Sequence, residues 1–346
     1  MIEIKNEGVI LRGEYGFEKN GVFNPSCVSV GDEVWMYYRA VDKNKISSIG
    51  FCRLKKNEVV ERFDQPILVP EHYYEKSGIE DPRITKIDET YYLFYCAYDG
   101  VNARIAYATT KKLPHFVKQG LIMPDLTYKE AGELLKKNKS LSSKYAAFEQ
   151  IYEHNRGENV LLWEKDAFLF PEKTDGKFTL CHRVLPGIQI VFFKDFSELT
   201  ADFWQKYFSR LEDYDVIEPS FEYDSWNVGG GCPPLKTAAG WLLIYHTVEN
   251  VPETGRVYHA SAALLDLDNP LRVIARLDKP LFSPTSKYEK EGVVDNVVFP
   301  TSALVENGRL YIYYGGGDNV IALKSIDLDL LIETLLKNQS NQKTTT

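Results

Sequence analysis

The chain has 346 residues, 44% hydrophobic and 26% charged, with a formal net charge of −8, an ordinary globular balance large enough for two domains or one large all-β unit. An acidic chain without a basic run lacks the footprint of a nucleic-acid binder, and no window approaches the roughly 20 apolar residues of a membrane span. Met1-Ile2-Glu3-Ile4-Lys5 opens no apolar run of signal-peptide length, and the five scattered cysteines (Cys27, Cys52, Cys96, Cys181, Cys232) lack CxxC spacing, so reduced thiols in a cytoplasmic protein are expected.

Aromatic residues are abundant, with 22 Tyr, 18 Phe and 5 Trp. They suit pleated, half-buried surfaces and point to β structure, and most are expected in a core. In chain order, five segments share one pattern, a turn followed by an aromatic-rich strand: Glu33–Arg39, Thr90–Cys96, Gly176–Arg183, Gly240–His246 and Gly308–Tyr314. Gly31-Asp32, Asp88-Glu89, Asp175-Gly176, Gly240 and Asn307-Gly308 supply the hairpin chemistry. Further strand-like runs follow at Arg104–Ala108, Ile188–Phe193 and Val320–Leu323. Five repeated β units predict an all-β, five-bladed β-propeller over residues 1–337. The spacing is longer and less even than the ~40–50 residues of regular propeller repeats, so a large β-sandwich is the alternative. In a propeller, Arg39, Asp81, Arg83, Arg183 and His246 come from different blades and meet at the centre. Residues of about 125–155, with Leu134, Leu135, Tyr145, Phe148 and Ile151 at helical spacing, read as a helical or loop insertion: a lid, an oligomer contact or a solvated excursion. Leu328–Leu336 reads as a short amphipathic helix, and 338–346 as a frayed polar tail.

Four segments can carry chemistry. Gly78-Ile79-Glu80-Asp81-Pro82-Arg83 reads as a loop in which proline biases Asp81 toward extended geometry. An acid beside an arginine is normally ionised, so to donate a proton Asp81 needs burial or a neighbouring carboxylate such as Glu80. The spacing by itself favours a structural ion pair. Lys165 and, further on, His182-Arg183 supply donors for an oxyanion or phosphate, or are surface cations. Gly229-Gly230-Gly231 permits close backbone approach to a ligand but lacks the Lys-Ser/Thr of a P-loop. Asp318 either binds sugar hydroxyls or serves a turn. The six histidines show no metal-ligand spacing, and no cofactor is expected.

Taken in order, the landmarks Phe23-Asn24-Pro25-Ser26, Tyr38-Arg39-Ala40, Glu80-Asp81-Pro82-Arg83, Lys165-Asp166, Phe170-Pro171, His182-Arg183, Pro233-Pro234, Trp241–His246, Asn296–Pro300 and Gly317-Asp318 resemble glycoside hydrolase family 130, the mannoside phosphorylases and related β-mannosidases. The resemblance runs from about Val22 to Leu330 and implies a five-bladed propeller. It implies Asp81 as general acid, and Asn24, Arg39 and Asp318 around the mannosyl ring, with Glu80 and Arg83 beside them as substrate-binding candidates. It implies an inverting reaction in which the proton reaches the glycosidic oxygen through a sugar hydroxyl. Inorganic phosphate, held by Lys165, Arg183 and His246, then attacks the anomeric carbon to give α-mannose 1-phosphate. The chain departs from the pattern at Asn227, where a lysine is expected, and at Lys165, where some relatives carry arginine.

Losing a cation favours the hydrolytic relatives, which activate water with a carboxylate. Asparagine is a poor base, and two or three cations remain, so the phosphorylase is preferred and the β-mannosidase is the alternative. A non-catalytic glycan-binding propeller and a protein-interaction scaffold are readings of other classes. Partners are a mannoside or manno-oligosaccharide and no nucleic acid or membrane, with a homo-oligomer left open.

Overall fold

A computed structural model describes residues 2–157 and 159–343, the side chains of 340–343 excepted. The protein is mostly β, built from antiparallel strand groups. The first contains Val22–Val30, Glu33–Val41, Ser47–Lys55 and Glu58–Arg62, and the second Gly78–Ile87, Thr90–Tyr98, Ala103–Thr110 and Val117–Leu121. These two join at one parallel pair, Ser47 with Gly78, into an eight-stranded sheet. Gly78 sits at φ +143°, and a Cβ there would lie 2.7 Å from the Ser47 nitrogen, so glycine is required at the junction. The third group is Lys165–Leu169, Phe178–Arg183, Ile188–Phe193 and Asp215–Ile217. The fourth is Asn227–Gly230, Gly240–Val251, Gly255–Leu265 and Val273–Arg276, with Leu235–Thr237 on the near end of Gly240–Val251. The fifth contains Val298–Glu306, Arg309–Gly316 and Val320–Asp327, and its outer strand is the N-terminal Ile4–Arg12.

The aromatic repeats become the second strand of each group. Both faces of these strands are buried, so alternate residues serve different cores. Tyr37 packs between the first and second groups, whereas Met36 and Tyr38 face the fifth. Leu93 faces the first group and Phe94 the third. Leu243 and Tyr245 face the third group, Leu242 and Ile244 the fifth. Ile312 and Tyr314 face the fourth group, and Tyr313 returns to the first. Each group is thus packed on the next, and the last on the first.

A second repeat operates at the entry to four groups. Glu18, Glu75, Asp224 and Glu289 sit in short turns preceding the first strand of their groups, called the inner strand below, and each is fully buried. Glu18 accepts the N–H groups of Glu14 and Tyr15, the Tyr38 hydroxyl at 2.6 Å, and Arg62. Glu75 accepts those of Glu71 and His72, the Tyr95 hydroxyl at 2.7 Å, and Lys118 at 2.6 Å. Glu289 accepts those of Thr285 and Ser286, the Tyr314 hydroxyl and Lys324, both at 2.6 Å. Asp224 accepts those of Ser220 and Phe221 and reaches Tyr245 through Arg276. In the third group Glu164 instead receives His182 Nδ1 at 2.8 Å, and His182 Nε2 meets the Tyr207 hydroxyl at 2.7 Å.

The polar stretch before the third group folds as helices Tyr128–Leu135 and Ser143–Arg156, capped by Thr127 and Ser142. A further helix, Ala201–Phe208, was not anticipated; its signals are the Thr200 cap and the Trp204, Tyr207 and Phe208 stripe. The C-terminal helix, expected to end at Leu336 before a frayed tail, runs from Leu328 to Lys343. Leu331 and Leu335 anchor it on the fourth and fifth groups, and no Gly or Pro interrupts the polar turns that follow. Residues 344–346 of the expected tail lie outside the described residues.

Burial raises the Glu75 and Glu289 carboxyls, but Lys118, Lys324 and the surrounding donors outweigh it and leave both below their ordinary value. A depressed carboxyl stabilises the fold above its unfolded value of about 4.3, and that stabilisation is lost as pH falls through the folded value. Glu289→Gln should therefore cost about 3 kcal/mol at pH 7, because it leaves Lys324 buried and unpaired. The difference should shrink below about pH 4. Denaturant unfolding at both pH values reads this, and an equal loss at each would refute it.

Candidate active site

The inner strands of the first three groups carry a local irregularity. Their ladders skip between Phe23 and Ser26, between Glu80 and Arg83, and between Lys165 and Phe168. The skipped residues include Asn24, Asp81 and Asp166, at φ +50°, +55° and +59°. Asn and Asp tolerate this left-handed geometry, and a bulge re-aims a side chain out of the ladder. Two of the bulges place proline in the unpaired position, where a missing N–H costs nothing. The segment Gly78–Arg83 is accordingly strand rather than loop, and Asp81 is left-handed rather than extended.

The result is a cavity of about 180 Å³ lined by Asn24, Arg39, Asp81, Lys165, Asp166, Arg183, Tyr258, Val294, Val297, Phe299 and Asp318. Asn24 Nδ2 donates to Asp81 Oδ1 at 2.8 Å, and Arg39 Nη1 lies 3.3 Å from the same oxygen. Arg39 Nη2 and Lys165 Nζ hold the two oxygens of Glu80 at 2.6 and 3.2 Å. Arg183 Nη1 pairs with Asp166 Oδ2 at 3.0 Å and lies 3.4 Å from His246 Nε2.

Three expected ligand-binding residues lie behind the wall, the first being Glu80, which is buried, lines no part of the cavity and is taken up by Arg39 and Lys165. Arg83 is fully buried and lines no part of the cavity. It donates to the backbone carbonyls of Asp81 and Gly231 and lies 3.6 Å from Asp166, so it fastens the floor instead of meeting substrate. His246 is also fully buried. Burial lowers its pKa, Asp166 opposes this, and Arg183 and Arg83 reinforce it, leaving the ring at about 3 and neutral at pH 7. It adds no charge for a phosphate. The Gly229–Gly231 run serves the same wall: a Cβ on Gly229 would lie 2.3 Å from His246 Cε1 and 2.6 Å from Asp166 Oδ2. These glycines admit the protein's own side chains. Asn227 is buried with its Oδ1 unpartnered.

Asp166, Tyr258, Val294, Val297 and Phe299 also line the cavity without an expected role. Asp166, Val297 and Phe299 belong to the family landmarks. Tyr258 had no local signal, because it reaches the cavity only through the pairing of Gly255–Leu265 with Gly240–Val251.

The carboxyls are driven apart. Burial raises Asp81, but Arg39, Lys165, Arg83 and the Asn24 amide outweigh it and hold it at about 2. This is opposite to the expected elevation, because Glu80 is engaged by two cations. Asp318 is pushed up to about 6 by burial, against Arg39, with Asp81 and Glu80 adding to the rise. An acid raised in the folded state destabilises it above the unfolded value of about 3.9, in full above about pH 6. Asp318→Asn should therefore stabilise the protein by about 1–2 kcal/mol at pH 8, after discounting for partial solvent access, and by almost nothing at pH 4. Melting curves across this range test it, and a gain that does not depend on pH would be the contrary result.

The sequence profile of glycoside hydrolase family 130, described as beta-1,4-mannooligosaccharide phosphorylase, matches residues 7–337. The chain is 31% identical over 328 residues to a 1,2-beta-oligomannan phosphorylase of Thermoanaerobacter sp. (strain X514), covering 92% of this chain and 93% of that one. It is 32% identical over 333 residues to a beta-1,2-mannobiose phosphorylase of the same strain, covering 91% and 92%. The fold is similar to that of the beta-1,2-mannobiose phosphorylase from Listeria innocua in complex with beta-1,2-mannobiose, with a TM-score of 0.71, 24% identity and coverage of 96% and 99%. The profile match over nearly the whole length, with relatives above 30% identity across nine-tenths of it, makes this chain a member of glycoside hydrolase family 130, a family of enzymes.

Proposed function

We propose that the protein is an inverting β-mannoside phosphorylase that acts on β-1,2-linked manno-oligosaccharides with inorganic phosphate to give α-mannose 1-phosphate. The observation that carries this reading is the convergence of Arg39, Lys165 and Arg183 on the small cavity that also contains Asp81. Phosphate arrives anionic and needs cations but no protein base. A hydrolase needs a carboxylate free to activate water, and Asp166 is tied to Arg183 and Arg83. The preference for β-1,2 linkages rests on the two full-length relatives that carry it in their names.

In this reading Asn24, Arg39 and Asp318 hold the mannosyl ring and Asp81 is the acid. Asp81 is ionised at neutral pH in the free protein, under the cations around it. Phosphate docked against Lys165 and Arg183 cancels part of that positive field, so Asp81 gains proton affinity as the nucleophile arrives. The proton passes through a sugar hydroxyl to the glycosidic oxygen while phosphate attacks from the opposite face. His246 orients Arg183 as a neutral partner, and Tyr258 stands in the cavity wall as a further phosphate donor. The strand groups are the blades of a five-bladed β-propeller whose inner strands surround this cavity. Five free, buried cysteines support a reducing, cytoplasmic setting.

Hydrolysis draws its support from Asn227, an uncharged residue where a lysine is expected. Product analysis on β-1,2- and β-1,4-mannobiose, with and without phosphate, separates the two. Phosphate-dependent turnover yielding mannose 1-phosphate is expected, and equal turnover without phosphate would replace phosphorolysis by hydrolysis. Asp81→Asn should lower kcat by about 10²–10⁴-fold with an unchanged circular dichroism spectrum; full activity in that variant would remove Asp81 from its role.

A further inference from the structure

A cavity of about 180 Å³ is on the scale of one pyranose ring, so a second linked sugar sits at its mouth and the third and later ones run over the rim. Two arginines stand there, each with its guanidinium over the ring of a half-buried tryptophan. Arg156, in the last turn of helix Ser143–Arg156, lies 3.6 Å from the Trp163 ring centre. Arg256 lies 4.5 Å from that of Trp226. Both are exposed, and neither has a carboxylate or carbonyl partner among the described residues, unlike Arg39, Arg83 and Arg183 in and beneath the cavity. The stacks connect to the cavity on two sides. Lys165, a lining residue, is 5.4 Å from the Trp163 ring. Arg256 shares a strand face with the lining residue Tyr258, two positions on. Between the stacks runs an aromatic arc across the inserted helix: Trp163 to Tyr152 at 6.1 Å, Tyr152 to Phe148 at 6.4 Å and Phe148 to Trp226 at 5.0 Å.

A guanidinium held over an indole keeps its fork oriented with the N–H edges outward. Such donors meet hydroxyl oxygens without first breaking an ion pair. The ligand chemistry that suits them is a neutral polyol emerging from the cavity. We propose that the Arg156–Trp163 and Arg256–Trp226 stacks form a subsite for the third and later sugars of the chain, and so set the preference for chain length. The proposal rests on the mannoside phosphorylase reading and assigns the inserted helix a place in substrate recognition.

The test uses the full chain and its Arg156→Ala and Arg256→Ala variants, with β-1,2-mannobiose, -triose and -tetraose at saturating phosphate. In each variant kcat/KM for the tetraose should fall about 10-fold through KM, and that for the biose should change by less than about twofold. Arg156→Lys, which keeps the charge but loses the planar fork, should fall with the alanine variant. Equal losses at every chain length would overturn the subsite. So would a loss confined to the KM for phosphate and relieved by salt, which would make the arginines an anion-steering pair. If the parent protein turned over no β-mannoside, the reaction assignment would fail on its own. The rim would then be decided by calorimetric binding of the same oligosaccharides to Asp81→Asn with and without Arg156→Ala: equal affinities would overturn it, and a length-dependent loss would sustain it.

Discussion

The buried carboxylate at the entry to an inner strand is the interaction on which the architecture depends. Glu18, Glu75, Asp224 and Glu289 each bind two backbone N–H groups of their own turn and connect, directly or through an arginine, to a tyrosine of the second strand and a cation further out in the same group. An ionised carboxylate buried without partners would be prohibitive, and one with three or four donors is a rigid joint. Asn24 and Asp81 each stand six residues beyond such a joint. The clamp therefore fixes where the inner strand begins and which residue reaches the bulge.

At the centre, charges of both signs converge and each is conditioned by the rest. Asp81 is held down by cations, Asp318 is raised by burial and by neighbouring carboxylates, and His246 is kept neutral. Arg83 balances the buried Asp166 from below and anchors the Asp81 carbonyl. A site of this kind responds strongly to an arriving anion, because removing one unit of positive field moves every neighbouring proton equilibrium.

The third strand group departs from the repeat, and the inserted helices lie beside it. It replaces the turn carboxylate with the Glu164–His182–Tyr207 chain, which lies behind Lys165 and Arg183. Where four groups use a turn to fix the inner strand, this one uses a buried side-chain network braced by Trp204 and the helices. The helix Ser143–Arg156 thereby joins the core through Tyr145 and reaches the rim through Tyr152 and Arg156.

The five aromatic segments were legible as strands because their signals are local: Gly, Asp and Asn turn chemistry, and runs apolar on both faces. The Asn-Pro and Asp-Pro landmarks, Lys165, Arg183 and Asp318 could be read in order along the chain, and that order carried the family resemblance. Nothing local revealed that Asp81 is left-handed, since the bulge exists only once the strand pairs with Thr90–Tyr98. Nor could neighbouring residues show that Arg83 is a floor bolt or that His246 is uncharged: Arg83 finds its partner Gly231 at a separation of 148 residues, and His246 takes its charge state from burial beside Asp166 and Arg183. Chain chemistry on its own sets strand identity and the inventory of polar groups, because propensity and turn geometry act over a few residues. Which of those groups face the cavity, and in what protonation state, follows from long-range packing, because burial and Coulomb fields are properties of the assembled centre.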